Sequence, residues 1–152
     1  MSIIWKYLNK RSGAIDAIRD YDSMAFIIEN TSEDIKQAYA AMTSLHPSGF
    51  DGLPHSSNPH AAEDHIISGL ADIDILKERY RQAVEYMRWF QPAWEKLSSD
   101  EQYVLETFYA AEDAQTSAVY AITDHFNIER SSAYKRKNRA LAKFAILLFG
   151  KT

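Results

Sequence analysis

Apolar residues recur at spacings of three and four along most of the chain, which is the period of an amphipathic α-helix. Two long stretches, about residues 3–42 and 61–90, have this period, and a segment rich in Pro and Gly, residues 43–62, separates them. No stretch shows a convincing strand pattern of alternating apolar and polar residues. The pattern predicts an all-α protein that begins with an N-terminal antiparallel helical hairpin.

Two local signals predict interruptions of the long helices. The segment Thr31–Asp34 resembles an N-cap followed by an acidic first turn. We therefore expect a break or kink near Asn30. Whether residues 3–42 form one helix or two stays open. Pro92 is expected to end the second helix or to mark a hinge. We therefore divide the chain into an acidic hairpin domain, residues 1–92, and a second domain, residues 93–152.

The second domain has the pattern of three short helices. Ser98 and Glu101 have the spacing of a capping box, which predicts the start of the first short helix. Asn127 stands where the second helix needs a C-cap residue that tolerates a left-handed backbone. A third helix is expected to begin near Arg130, and this order of short helices and a tight turn is typical of a helix-turn-helix.

The third short helix has an apolar face and a basic face on a helical wheel. The apolar face carries Ala133, Ala140, Leu141, Phe144 and Leu148. The opposite face carries Ser132, Lys135, Arg136, Arg139 and Lys143, which we call the cationic stripe. Such a helix fits the major groove of duplex DNA, where Arg and Lys reach guanine edges or phosphates. Its first turn, Arg130, Ser131 and Ser132, stands where a recognition helix contacts bases.

Charge is distributed unevenly along the chain, although its total is only −4. Residues 127–152 contain seven Lys or Arg and one acidic residue, which gives this segment a net charge of +6. Residues 1–126 contain ten basic and twenty acidic residues, a net charge of −10. A basic contact surface on an acidic body indicates a polyanionic partner such as nucleic acid.

Residues 97–144 resemble the C-terminal DNA-binding region (region 4) of sigma-70-type factors, which reads a promoter element. In the second and third helices the resemblance rests on Val119, Ile122, Phe126, Ile128, Arg130, Ala133, Ala140, Leu141, Lys143 and Phe144. In the first helix it rests on Leu97, Glu101, Val104, Leu105, Phe108 and Tyr109. The whole chain, including the Gly-Pro loop, is similar to small phage-associated regulators of the ArpU type. These are encoded in phages and prophages of Gram-positive bacteria, and some are implicated in the control of late genes.

The chain also departs from the sigma pattern. Asn127 replaces the Gly that is usual at the turn, and Lys137 points toward the core face where sigma factors commonly carry an acid. The N-terminal half has no recognisable counterpart of the sigma region that binds core polymerase. The resemblance therefore implies a regulator that uses a three-helix, sigma-like helix-turn-helix, and it argues against a complete sigma factor.

We expect a sequence-specific, double-stranded DNA-binding transcriptional regulator that is cytoplasmic, is not an enzyme and uses no cofactor. Lys135, Arg139 and Lys143 are predicted to contact phosphates, and Arg130, Ser131, Ser132 and Arg136 are predicted to read bases. An alternative is a protein-interaction adaptor that binds RNA polymerase or a phage protein. The third hypothesis is a metal-dependent, all-α nucleotide hydrolase. For the regulator, the hairpin offers a surface for a homodimer or another partner.

Other features narrow the function classes. The chain has no cysteine, which excludes disulfides and cysteine zinc sites, and its longest apolar run, residues 144–149, is too short to span a bilayer. This run is apolar on every side, so we expect it to pack on the hairpin or on a second subunit. Loop and helix-start residues rich in His and acids (His46, Asp51, His55, His60, Glu63, Asp64 and His65) lack helical metal-ligand spacing. No metal site is predicted.

Overall fold

A computed structural model describes residues 9–43, 60–111 and 115–151. Within these ranges every regular element is helical, which confirms the all-α fold class. The elements are α1 Lys10–Thr43, α2 Ala61–Glu95, α3 Ser99–Leu105, α4 Gln115–Phe126 and α5 Arg130–Phe149. A short π-helix, Glu106–Ala110, continues directly from α3 and is called the π-turn below.

α1 runs without interruption through the position where the sequence predicts a break. Thr31 does not cap a new helix, because its hydroxyl donates a hydrogen bond to the carbonyl of Ile27, one turn earlier. The side-chain amide of Asn30 likewise donates to the carbonyl of Phe26, at 2.8 Å. Both side chains satisfy their polar groups within a continuous helix, so the predicted break is wrong.

α2 continues past Pro92 to Glu95, so the proline does not end the helix as expected. A proline inside a helix removes one backbone hydrogen bond to the preceding turn. Here only three helical residues follow Pro92. Ala93 among them is 7% exposed, and Leu97, just beyond the end of α2, is 5% exposed. Burial of this segment offsets the local cost of the proline.

The residue contacts divide the chain into two compact units, whose boundaries fall inside α1 and α2. The first unit, among the described residues, contains 9–23, 86–111 and 115–151, and the second contains 24–43 and 60–85. The end of α2 is thus grouped with α3, α4 and α5 instead of with the rest of the predicted hairpin. The boundary predicted between residues 92 and 93 does not coincide with this division.

An aromatic cluster around Phe90 forms the centre of the first unit. Phe90 is 2% exposed, and its ring centroid lies 5.3 Å from that of Tyr21 in α1 and 5.3 Å from that of Phe144 in α5. Tyr86 and Trp94, both in α2, stack on Phe90 at centroid distances of 5.2 and 5.5 Å. Each such pair contributes about 0.5–1.5 kcal/mol beyond the burial of its area.

The second unit buries few large side chains. Ile73 and Ala83 of α2 are buried, and Met42 of α1 lies so close to Gly69 that a Cβ there would approach its side chain to 2.6 Å. Large apolar side chains that are at least two-fifths exposed include Phe26, Tyr39, Ile66, Ile67, Leu70, Ile75 and Tyr80. The apolar positions of the second long stretch are therefore buried only in part.

The apolar C-terminal turn of α5 is half covered. Ala145 and Leu148 are buried, and the indole nitrogen of Trp89 donates to the carbonyl of Leu148 at 3.0 Å. Ile146 and Leu147 remain 44% and 39% exposed. One side of this turn therefore packs within the first unit and contacts the end of α2, and packing of the other side on a second subunit stays a prediction. None of the described helices combines the length and apolar character that crossing a bilayer requires.

We predict that Pro92→Ala raises the free energy of unfolding by about 1–3 kcal/mol, because alanine restores a helical N–H and has the higher helix propensity. Urea unfolding followed by far-UV circular dichroism measures the change. Glu95→Ala, an exposed substitution in the same turn, should change stability by less than about 0.5 kcal/mol. A loss of stability in Pro92→Ala would contradict a helix that continues through this position.

Candidate nucleic-acid interface

α5 packs against α3 and α4 through the face that the sequence predicts. All five residues of the predicted apolar face are buried, with exposed fractions of 8% or less: Ala133, Ala140, Leu141, Phe144 and Leu148. Ala145 joins them. Since one side of α5 is covered, the opposite side is the one presented outward.

A tight turn at Asn127 sets the start of α5. Asn127 has a φ of 51°, in the left-handed region, as its position in the sequence indicates. The amide of Ile128 donates to the carbonyl of Thr123 at 3.1 Å, which is the long hydrogen bond of a Schellman motif. Ile128 also packs against the buried core. The chain therefore reverses within a few residues and enters α5 at Arg130.

The predicted capping box opens α3 and also contacts α5. The amide of Glu101 donates to Ser98 Oγ at 3.2 Å, and the amide of Ser98 donates to Glu101 Oε1 at 3.3 Å. Lys143 Nζ donates to the same Glu101 oxygen at 2.8 Å. Partial burial alone would raise the pKa of Glu101, but the bonds from Lys143 and Ser98 lower it on balance.

The cationic stripe lies along the exposed side of α5. Its members Lys135, Arg136, Arg139 and Lys143 are exposed, as are Arg130 and Ser131 in the first turn, whereas Ser132 is half-buried. Within the described part of the chain, Arg130, Lys135 and Arg139 make no hydrogen bond or ion pair. No charge of a described residue is held against these three cations.

Arg136 is oriented by an aromatic ring. Its guanidinium carbon lies 4.4 Å from the ring centroid of Phe126, the last residue of α4. Phe126 in turn contacts His125, with ring centroids 4.7 Å apart, and Tyr103 of α3 at 6.1 Å. The stack contributes about 0.5–1 kcal/mol at an exposed position and limits the directions in which Arg136 can donate.

Lys137 stands apart from the stripe. It is half-buried, and its Nζ lies 5.2 Å from the ring centroid of Phe108 and 5.0 Å from that of Tyr134. Burial lowers the pKa of Lys137, the nearby charge of Arg11 lowers it further, and Tyr134 opposes both effects. The side chain therefore belongs to the packing of α5 against its neighbours.

Two basic residues of α1 reach α5, and the sequence pattern gives no sign of them. Arg11 Nη2 donates to Asn138 Oδ1 at 3.1 Å, and Lys10 Nζ donates to the carbonyl of Gly150 at 3.0 Å. A cation at a helix C-terminus interacts favourably with the helix dipole. Because these residues are more than a hundred positions from their partners, only the tertiary fold brings them to the basic surface.

The histidines offer no metal centre in the described residues. His60 Nδ1 lies 3.3 Å from Glu63 Oε2, and His65 Nε2 lies 3.2 Å from the carbonyl oxygen of Ala41. His46, Asp51 and His55 lie outside the residues that the structure describes. Among those described, no group of three or more His, Cys, Asp or Glu could hold a metal ion.

Comparison of the chain with protein-family models, with curated proteins and with solved structures found no match. The resemblance to sigma-type and ArpU-type proteins therefore stays a prediction from the residues quoted above. Any function has to be inferred from the packing of α3, α4 and α5 and from the charges that α5 presents.

We predict that Glu101→Gln, which keeps an acceptor for the Ser98 amide but loses the charge, lowers the unfolding free energy by up to about 1 kcal/mol at pH 7. The stabilisation from a lowered carboxyl pKa is present above the unfolded pKa, about 4.3, and is lost as pH falls through the folded pKa. The difference in unfolding free energy between the variant and the unmodified chain should therefore vanish in acid. Urea unfolding at several pH values measures it.

The control for this experiment is Asp100→Asn, an exposed acid in the same first turn. Within the described residues Asp100 makes no ion pair, so this substitution should not reproduce the pH dependence of Glu101→Gln. A deficit in Glu101→Gln that stays constant down to low pH would mean that the ion pair with Lys143 contributes nothing.

Proposed function

We propose that the chain is a sequence-specific, double-stranded DNA-binding transcriptional regulator whose α3, α4 and α5 form a three-helix, sigma-like helix-turn-helix. One observation carries the proposal. The exposed side of α5 presents Arg130, Lys135 and Arg139 without a described counter-charge, directly after a left-handed turn at Asn127. A basic helix held in this way has the shape and charge that the major groove accepts.

The residues of the stripe divide by role. Lys135 and Arg139 contact phosphates and provide affinity, while Arg136, held over Phe126, reads bases together with the first turn, Arg130, Ser131 and Ser132. Glu129 makes no side-chain cap, so the first amides of α5 are available to phosphate oxygens. Lys143 contributes less than its neighbours, because it must first exchange the Glu101 carboxylate for a phosphate.

The remainder of the chain is expected to favour specific over nonspecific binding of DNA. The net charge of −10 on residues 1–126 opposes nonspecific attraction to DNA through the field that it projects. We further propose that α1 and α2 form an antiparallel hairpin, which is supported by the contact of Met42 with Gly69. Its exposed apolar side chains offer a surface for a homodimer or another protein. The resemblance adds that the regulator is phage or prophage encoded, and we propose that it acts in the cytoplasm.

A second candidate is an adaptor that binds RNA polymerase or a phage protein, without catalytic activity. The observation that favours it is apolar exposure in the first unit at residues outside the cationic stripe. Tyr120 on α4 is 69% exposed, and Ile146 and Leu147 on α5 are also exposed. Aromatic and aliphatic side chains of this kind are common anchors of protein interfaces.

The first experiment is a fluorescence-anisotropy titration of the protein against DNA fragments from its own gene neighbourhood, at salt concentrations from low to physiological. If about four phosphates are neutralised, the logarithm of the binding constant falls with the logarithm of salt with a slope near −3.6. Arg139→Ala should reduce the magnitude of that slope by about 0.9 and weaken binding to all sequences alike. Lys77→Ala on α2 is the matched control and should change neither.

Arg136→Ala should weaken binding to the preferred fragment by about 1–3 kcal/mol and relax the preference for it. Equal, weak binding to every fragment, unaffected by Arg136→Ala, would contradict the DNA-binding proposal. A polymerase pull-down that survives both Arg136→Ala and Arg139→Ala would then favour the adaptor.

We also predict that the Glu101–Lys143 ion pair withholds one cation from DNA. Lys143→Ala should therefore weaken binding by less than Arg139→Ala does. Glu101→Gln should strengthen binding at low salt about twofold, because the freed ammonium no longer exchanges partners. The same titration measures both variants. Equal losses of affinity in Lys143→Ala and Arg139→Ala would show that Glu101 does not compete with DNA phosphate for Lys143.

A further inference from the structure

A small cavity lies in the first unit, between α1, α2 and the π-turn. Its volume is about 260 Å³. Pockets for drug-sized ligands are usually about 300–1,000 Å³, so this cavity suits a compact organic molecule or ion and not a nucleotide. None of the residues assigned to the DNA interface lines it.

Aromatic rings form much of the cavity wall. Phe90 is buried there, and Tyr21 and Trp94 are half-buried beside it. Phe90 is stacked on Trp94 and on Tyr86, so the accessible ring surface of the wall comes from Tyr21 and Trp94. The faces of aromatic rings attract cations, and they do so most strongly where water is partly excluded.

The polar groups of the wall are acidic or neutral. Asp22 of α1 and Glu106 of the π-turn contribute carboxylates, and Gln91 contributes an amide. No Lys or Arg is among the described residues that line the cavity. In the described part of the chain neither carboxylate makes a hydrogen bond or an ion pair, so both are available to a ligand.

The π-turn builds one side of this cavity. Its first residue, Glu106, and its last residue, Ala110, both line it. The hydroxyl of Thr107 donates to the carbonyl of Tyr103 at 2.7 Å and so satisfies a backbone acceptor where the α-helical pattern ends. π-helical turns are rare, and many of those known lie at functional sites.

We propose that this cavity binds a small organic cation with an ammonium group. The half-buried rings of Tyr21 and Trp94 supply the aromatic surface for its alkyl and cationic parts, Phe90 backs this wall, and Asp22 and Glu106 balance the charge of the ligand. The same chemistry is offered by a free amine and by a lysine side chain of a partner protein. The site is independent of the DNA-binding proposal, since it shares no residue with the cationic stripe.

The test is an NMR titration of the ¹⁵N-labelled full chain with choline, with its neutral tert-butyl isostere and with a blocked lysine amide. Saturable shifts of the Trp94 indole signal with choline, and tighter binding of choline than of the isostere, are expected. A blocked lysine that binds more tightly than choline would identify a partner's side chain as the ligand. Tighter binding of choline than of the blocked lysine would identify a free small-molecule cation as the ligand.

Matched variants distinguish a loss of the cavity carboxylates from a general effect on the fold. Asp22→Asn and Glu106→Gln, both at exposed positions, should each weaken choline binding about fivefold. Asp16→Asn, also exposed on α1 but outside the cavity, should leave the affinity within about twofold. The proposal is overturned if choline does not bind saturably, if the isostere binds equally well, or if the Asp22→Asn, Glu106→Gln double variant binds choline as the unmodified chain does.

Discussion

The packing of Phe90 against Tyr21 and Phe144 is the interaction on which the rest of the described first unit depends. It joins the first turns of α1, the last turns of α2 and the middle of α5 in one aromatic cluster. The outward direction of the cationic stripe follows, because Phe144 fixes which side of α5 is covered. The cavity follows as well, since Phe90 and its neighbour Trp94 form part of its wall.

Local signals predicted the C-terminal helices well. The capping box at Ser98 and the left-handed residue Asn127 each involve only a few neighbouring residues. A short stretch of sequence is therefore enough to predict their geometry. The buried side of α5 was predictable for the same reason, because a helical period places Ala133 and Leu141 on one face whatever the neighbours are. The use of that helix in DNA binding stays a prediction.

Features that depend on how the chain continues or on distant partners could not be predicted. Thr31 has the sequence context of a cap, yet a helix that continues on both sides lets its hydroxyl bond the preceding turn instead. Pro92 is tolerated because the residues after it are buried by other elements. The bonds of Lys143 to Glu101 and of Arg11 to Asn138 join residues far apart in sequence, where no periodicity or spacing relates them.

The unit that contains the DNA-binding candidate is discontinuous, because it takes residues 9–23 from one helix and residues from 86 onward from another. A fragment cut at residue 93 would leave Phe144 without Phe90 and would remove Ala14 and Ile18 from the same core. The unit that carries α5 is therefore not a contiguous segment that recombination could move in one piece. A gene fusion that transplants the proposed DNA-binding surface has to carry both flanking helical segments with it.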